Sequence, residues 1–295
     1  MKNGWCAGFA IRVALFYFTI AWVCQAIRAQ SETRFELVHN TLIVVSLMAG
    51  NEGPFDFVLD TGADTSIVDP LIAPRLLAPS TDRVQQTTLA GVQALTRGSL
   101  RSLSLGAAEV KNLEVLVQDL SELRKMDPLI EGIAGQNFLS HFNYLIDYHR
   151  RAMRIEEHRE IRDAIEGDPI AIEAVENRMM IAAEAKGRNQ ATLRLLLDSG
   201  ANSVVLLRRA ARELNLPSHG GGMELTSSGA VGLKVGQIEQ LALGSQHFHG
   251  VAAALPIVDP AERIGDGLLP TALFQSFYVN NREGFVIVNP RGKKN

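Results

Sequence analysis

Apolar residues in this chain come in short runs rather than long helical stripes. Leu42 to Leu47 is nearly continuous, and Phe55-Asp56-Phe57-Val58-Leu59 alternates before turning wholly apolar. Leu193 to Leu197 repeats that shape later in the chain. Short apolar runs bounded by turn-forming residues read as β-strands. The boundaries here are Gly50-Asn51-Glu52-Gly53 and Lys186-Gly187-Arg188-Asn189. Helical spacing is sparse. Leu206 to Leu214 predicts one helix, and its counterpart near Pro70 and Pro74 is expected to be broken by proline. Asn137 to Phe142 and Thr271 to Phe277 each predict a short helix. The pattern is all-β with few short helices, in barrels or sandwiches.

The strands also recur. Asn40 and Gly50 return 137 positions later as Asn177 and Gly187. Asp60, Gly91 and Leu103-Ser104-Leu105-Gly106 return after 138, as Asp198, Gly229 and Leu241-Ala242-Leu243-Gly244. Gly132 and Phe142 return after 135 as Gly267 and Phe277. Loop insertions produce such a drift, and the period is far too long for a solenoid, so a whole domain is duplicated. The expected division is residues 30–157, a charged linker at 158–167, and residues 168–295. Within the charged stretch Arg150 to Glu166, Ala152 to Ile155 is alternatively a strand that closes the first domain.

Residues 1–29 fall outside this pattern. Lys2 and Arg12 precede Val13 to Val23, eleven residues without a charge, and small residues follow at Cys24, Ala26 and Ala29. A basic start, a short apolar core and a small-residue zone predict a secretory signal. The apolar core is shorter than the roughly 20 residues of a spanning helix. The expected destination is periplasmic or extracellular, with an uncleaved N-terminal anchor as the alternative. Both cysteines, Cys6 and Cys24, lie in this segment, so the mature chain has no disulfide and relies on its core. A net charge of −3 gives no basic surface for a phosphate backbone, which argues against nucleic acid as a partner.

The duplicated Asp60-Thr61-Gly62-Ala63 and Asp198-Ser199-Gly200-Ala201 each follow an apolar strand. Two carboxylates brought together cannot both ionise easily and share a proton. One activates water while the other hydrogen-bonds the substrate carbonyl. Thr61 and Ser199 each carry a hydroxyl able to bond across the axis. Gly62 and Gly200 permit close approach and offer amides to the carboxylates, and Ala63 and Ala201 suit a tight loop. This chemistry needs no metal and no cofactor.

Asp60-Thr61-Gly62-Ala63-Asp64-Thr65 resembles the active-site loop of retroviral and bacterial retropepsin-like aspartyl proteases. Asp198-Ser199-Gly200-Ala201-Asn202-Ser203 resembles it with mild changes, and Glu131 to Leu139 looks like the family's apolar-Gly segment and short helix. The resemblance covers roughly residues 35–155 and 168–290. It implies two retropepsin-like β-barrel domains forming an intramolecular pseudo-dimer. It also implies substrate-backbone roles for Asp64 and Asn202, and flaps at Thr87 to Val92 and Leu225 to Val231 with Gly91 and Gly229 near their tips. Ala63 and Ala201 stand where pepsin-like chains carry serine, which implies a weakly acidic optimum. Pro270 in Asp266-Gly267-Leu268-Leu269-Pro270 departs from the pattern, and neither flap shows a tyrosine.

The expected function is an exported aspartic endopeptidase that holds an extended polypeptide between its halves, as a monomer. The alternatives are an inactive peptide-binding or sensor module on the same fold, and a dimer pairing halves of two chains. His247 and His249 lack an evident third metal ligand. Gly220-Gly221-Gly222 lacks the lysine and context of a phosphate loop and suits a hinge into the second flap. Ser227 and Ser228 lie in no G-x-S-x-G motif. Arg208-Arg209 reads as a solvated helix face, and residues 291–295 as a frayed end.

Overall fold

The structure is a computed structural model and describes residues 32–88, 91–226, 229–259 and 265–293. The expected export signal and Ser227-Ser228 lie outside the described residues, as do the last two residues of the expected frayed end. No helix among the described residues is long and apolar enough to cross a membrane.

Each half closes a six-stranded barrel. In the first half the order is Leu42–Ala49, Glu52–Leu59, Ile130–Ala134, Ser66–Val68, Ala108–Val117 and Gly91–Leu105. Pairing of Met48 with Ser104 and Ala49 with Leu103 closes the ring. The second half repeats it with Arg178–Lys186, Gln190–Asp198, Gly267–Pro270, Val204–Leu206, Gln246–Pro256 and Gly229–Leu243, closed by Glu184 opposite Ala242. Alternation along Leu42–Ala49 sends Ile43, Val45 and Leu47 into the main core, and Leu42 and Val44 into a smaller apolar cluster. Arg83–Thr88 with Gly91–Leu105, and Ser218–Thr226 with Gly229–Leu243, form the two flap hairpins.

A third sheet joins the halves. Its order is Glu32–Arg34, Ala152–Glu156, Asn143–Asp147, Ser276–Asn280, Phe285–Val288 and Ile170–Ala171. Tyr144 pairs with Val279, the same 135 positions apart as Phe142 and Phe277. The pseudo-twofold axis therefore runs through this pair. Tyr144 and Phe277, both fully buried, meet edge to face there and join the two cores.

Two local expectations change. Thr271 to Phe277 is no helix: Thr271–Leu273 is a single 3-10 turn, and Phe277 lies in Ser276–Asn280. That strand has hydrogen-bonding partners on both edges, which a helix would forgo. Pro74 begins the one-turn helix Ala73–Leu76 instead of breaking it. In the first turn its missing N–H costs nothing. The charged stretch around 158–167 is itself structured, with a helix at Glu160–Ala164 and Ile165–Glu166 paired to Arg291–Gly292.

Candidate active site

Asp198 ends Gln190–Asp198 and Asp60 directly follows Glu52–Leu59, the two strands that pair with the apolar-Gly segments. The Asp60 amide donates to the Ala134 carbonyl at 3.0 Å, and Asp198 pairs with Pro270. Gly132 and Gly267 are needed in those segments. A Cβ on Gly132 would strike the Phe57 ring, and one on Gly267 would strike the Val205 carbonyl.

The two loops interlock at the axis by four reciprocal hydrogen bonds. Thr61 Oγ1 donates to the Leu197 carbonyl at 2.8 Å and accepts from the Ser199 amide at 2.9 Å. Ser199 Oγ donates to the Leu59 carbonyl at 2.7 Å and accepts from the Thr61 amide at 2.9 Å. Thr61 and Ser199 are both buried, so these bonds satisfy backbone groups that water cannot reach. Within each loop the geometry is the same. Asp60 Oδ1 accepts from the amides of Gly62 and Ala63 at 2.8 and 3.1 Å, and Asp198 Oδ1 from Gly200 and Ala201 at 2.8 and 3.1 Å. A Cβ on Gly62 would lie 2.5 Å from Asp198 Cγ, and one on Gly200 would lie 2.8 Å from Asp60 Cγ. Only glycine lets each loop pass this close to the opposite carboxyl.

Each carboxyl lies against the glycine of the opposite loop, and burial pushes both up. Asp198 sits well above the ordinary carboxylate range, through burial first and the charge of Asp60 second. Burial also raises Asp60, against the pull of the Gly62 and Ala63 amides and of Asp198. The pair titrates jointly and keeps one shared proton over a widened pH range. A carboxylate and a carboxylic acid side by side can take a proton from water and donate one to a carbonyl.

The structure gathers Asp60, Thr61, Gly62, Ala63, Asp198, Ser199, Gly200 and Ala201 at this axis. Asp64 and Asn202 lie beside it in different surroundings. Asp64 accepts from Gln86 Nε2 of the first flap at 3.2 Å and meets Arg178 of the second half at 3.5 Å. Its carbonyl accepts from Asn177 Nδ2 at 2.9 Å. Asn202 is exposed and has no hydrogen bond to any described residue. Gly91 and Gly229 begin the returning strands of the flap hairpins, paired with Thr88 and Thr226.

Sequence reasoning missed Arg178 and Gln136. Arg178 is buried and pairs with Val175 as Leu42 pairs with Val38, so it holds the position of Leu42. The turn before Leu42 is one residue longer, which conceals that match in the 137-residue offset at Asn177. Gln136, also buried, donates from Nε2 to the Thr61 carbonyl at 3.3 Å. Its neighbours in the apolar-Gly segment were visible in the sequence, but its side-chain direction was not. His247 and His249 are exposed, with His247 bonded to Gln240 at 2.9 Å. No group of three or more metal-ligating side chains occurs among the described residues.

Compared with protein families, residues 45–138 and again 183–271 match the family described as aspartyl protease. A search of curated proteins finds no match.

Proposed function

The chain belongs to the aspartyl protease family, and from that membership we propose an exported aspartic endopeptidase whose Asp60 and Asp198 activate one water between them. The observation that carries this reading is the pair itself: a buried Asp198 and a half-buried Asp60 on loops locked across the axis, each carboxyl against the glycine of the opposite loop. The ionised member takes the proton of the attacking water, and the protonated member hydrogen-bonds the scissile carbonyl. The flap hairpins frame a cleft suited to an extended polypeptide. The basic, apolar and small-residue order of residues 1–29 supports export to the periplasm or beyond, with an uncleaved anchor as the other form.

The test is cleavage of denatured protein by wild type, Asp60→Asn and Asp198→Asn across pH 3–8. Each substitution should reduce cleavage by about a thousandfold or more, because a shared pair fails when either member is lost. Binding of peptide by wild type with no cleavage at any pH would replace this reading with a binding module. Activity should peak at weakly acidic pH and fall as the shared proton leaves. Stability carries the same sign. A carboxyl raised in the folded state favours folding below its ordinary value and loses that advantage as pH rises through the raised one. Asp198→Asn should therefore lessen the loss of Tm toward neutral pH.

A further inference from the structure

Different side chains support the two catalytic loops from below. Under the first loop, Gln136 reaches the Thr61 carbonyl by itself. Its counterpart 135 positions on is Thr271, a shorter side chain. Thr271 is fully buried and follows Pro270, the residue paired with Asp198. The hydroxyl of Tyr148 meets Thr271 Oγ1 at 2.5 Å. That tyrosine belongs to the first half and directly follows Asn143–Asp147. Its amide donates to the Gln275 carbonyl at 2.9 Å. Its ring lies edge-on to Phe35 and tilted against Phe277, with centroids 6.2 and 6.4 Å away. Main chain and ring together carry the hydroxyl into the second half. The counterpart of Tyr148 in the second half is Glu283, which faces solvent and pairs with Arg159.

Two hydroxyls joined by one hydrogen bond hold two protons, and the bond uses one of them. The other is free to turn toward negative charge. Burial pushes the Tyr148 phenol up, its bond to Thr271 pulls against that, and the charge of Asp198 adds to it. Tyr148 therefore stays a neutral hydroxyl wherever the carboxyl pair works. Among the described residues, Asp198 is the one charge acting on it. Asp198 in turn feels Asp60, and Asp60 feels Asp64.

Resting on the peptidase reading above, we infer that Tyr148 is a positioning residue for Asp198, with Thr271 as the link between them. In that reaction Asp198, the more buried member, passes its proton to the scissile carbonyl while Asp60 takes one from water. Negative charge moves from Asp60 to Asp198, and the spare hydroxyl proton turns toward it. Tyr148 keeps its own proton throughout and acts through Thr271 rather than on the substrate. The first half thus builds part of the second half's site, and the two aspartates are not interchangeable.

The experiment compares full-length wild type with Tyr148→Phe, Thr271→Val and the double variant, by cleavage of fluorescent denatured casein and by denaturant titration. Tyr148→Phe should lower kcat about tenfold, the scale of one hydrogen bond to a charge, with KM within about twofold. Either single change leaves a buried hydroxyl alone and should destabilise, whereas the double variant leaves none and should regain stability. It should nevertheless keep the low kcat, and it carries the comparison where Tyr148→Phe does not fold. Recovery of kcat together with stability, an unchanged kcat in Tyr148→Phe, or a loss confined to KM would overturn the inference. Carbon-13 NMR of the aspartate carboxyls follows the shared proton without any substrate. Loss of a hydroxyl that favours ionised Asp198 should leave the pair holding that proton to higher pH than in wild type. A wild type that cleaves nothing fails the peptidase reading alone, and identical carboxyl titrations in wild type and Tyr148→Phe fail this one alone.

Discussion

Behind Asp60 the first half holds Ser66, Gly135 and Asn137, whereas behind Asp198 the second holds Val204, Pro270 and Ala272. Ser66 Oγ accepts from the Gly135 amide at 3.0 Å and donates to Asn137 Oδ1 at 2.7 Å, and Asn137 Nδ2 reaches the Glu114 carbonyl at 2.6 Å. In the second half Pro270 has no amide to donate, and Val204 has no hydroxyl to receive one. Donor and acceptor disappeared together. A missing N–H is costly when it leaves a buried acceptor alone, and none is left here. The φ of −68° at Pro270 is one that proline holds naturally. Pro270 departs from the family pattern in the sequence, and in the structure it is one half of a consistent apolar exchange.

The axis and its surroundings follow different rules. At the axis the halves keep matching bonds within a few tenths of an ångström. The largest structural effect should come from breaking that match. Thr61→Val strands the Leu197 carbonyl and the Ser199 amide, at about 2–4 kcal/mol for two buried groups. Ser199→Ala should cost about the same. Denaturant titrations that differ by more than about 1 kcal/mol would show that the halves are not equivalent even there.

Next comes the exchange behind the aspartates. Ser66→Val leaves the Gly135 amide without an acceptor and should cost about 1–3 kcal/mol. Val204→Ser sets a buried hydroxyl opposite a proline and should also destabilise. Adding Pro270→Gly to Val204→Ser should recover part of that loss, and a double-mutant cycle reads the coupling directly. Additive costs would mean that the two sites changed independently.

A smaller effect is expected at Arg178. Arg178→Leu copies the first half and removes an ion pair to Asp64, whose side chain is 25% exposed. Solvent around Asp64 keeps the cost near about 1 kcal/mol, and it should shrink at high salt.

Much of the fold could be read because its signals are local. Gly132 and Gly267 stood at matching places, and each proves to be a point of close approach. The strands Leu42–Ala49 and Gln190–Asp198 carried their own periodicity. Phe277 misled, because the apolar spacing of a short segment fits a helix or a strand and only the partner strands decide. Arg178 was hidden by a single-residue difference in turn length. Tyr148 was hidden because its partner, Thr271, lies 123 residues away.

The sequence by itself determined that the chain is a duplicated β-protein carrying one Asp-Thr/Ser-Gly-Ala loop in each copy. Strand periodicity, turn residues and loop chemistry are properties of neighbours along the chain. Only the tertiary structure decided how the copies meet. It placed Tyr144 opposite Val279, closed each hydroxyl of the loops onto the carbonyl beyond the axis, and sent Arg178 across to Asp64. These contacts join residues more than a hundred positions apart, so their partners are set by register and burial rather than by local preference.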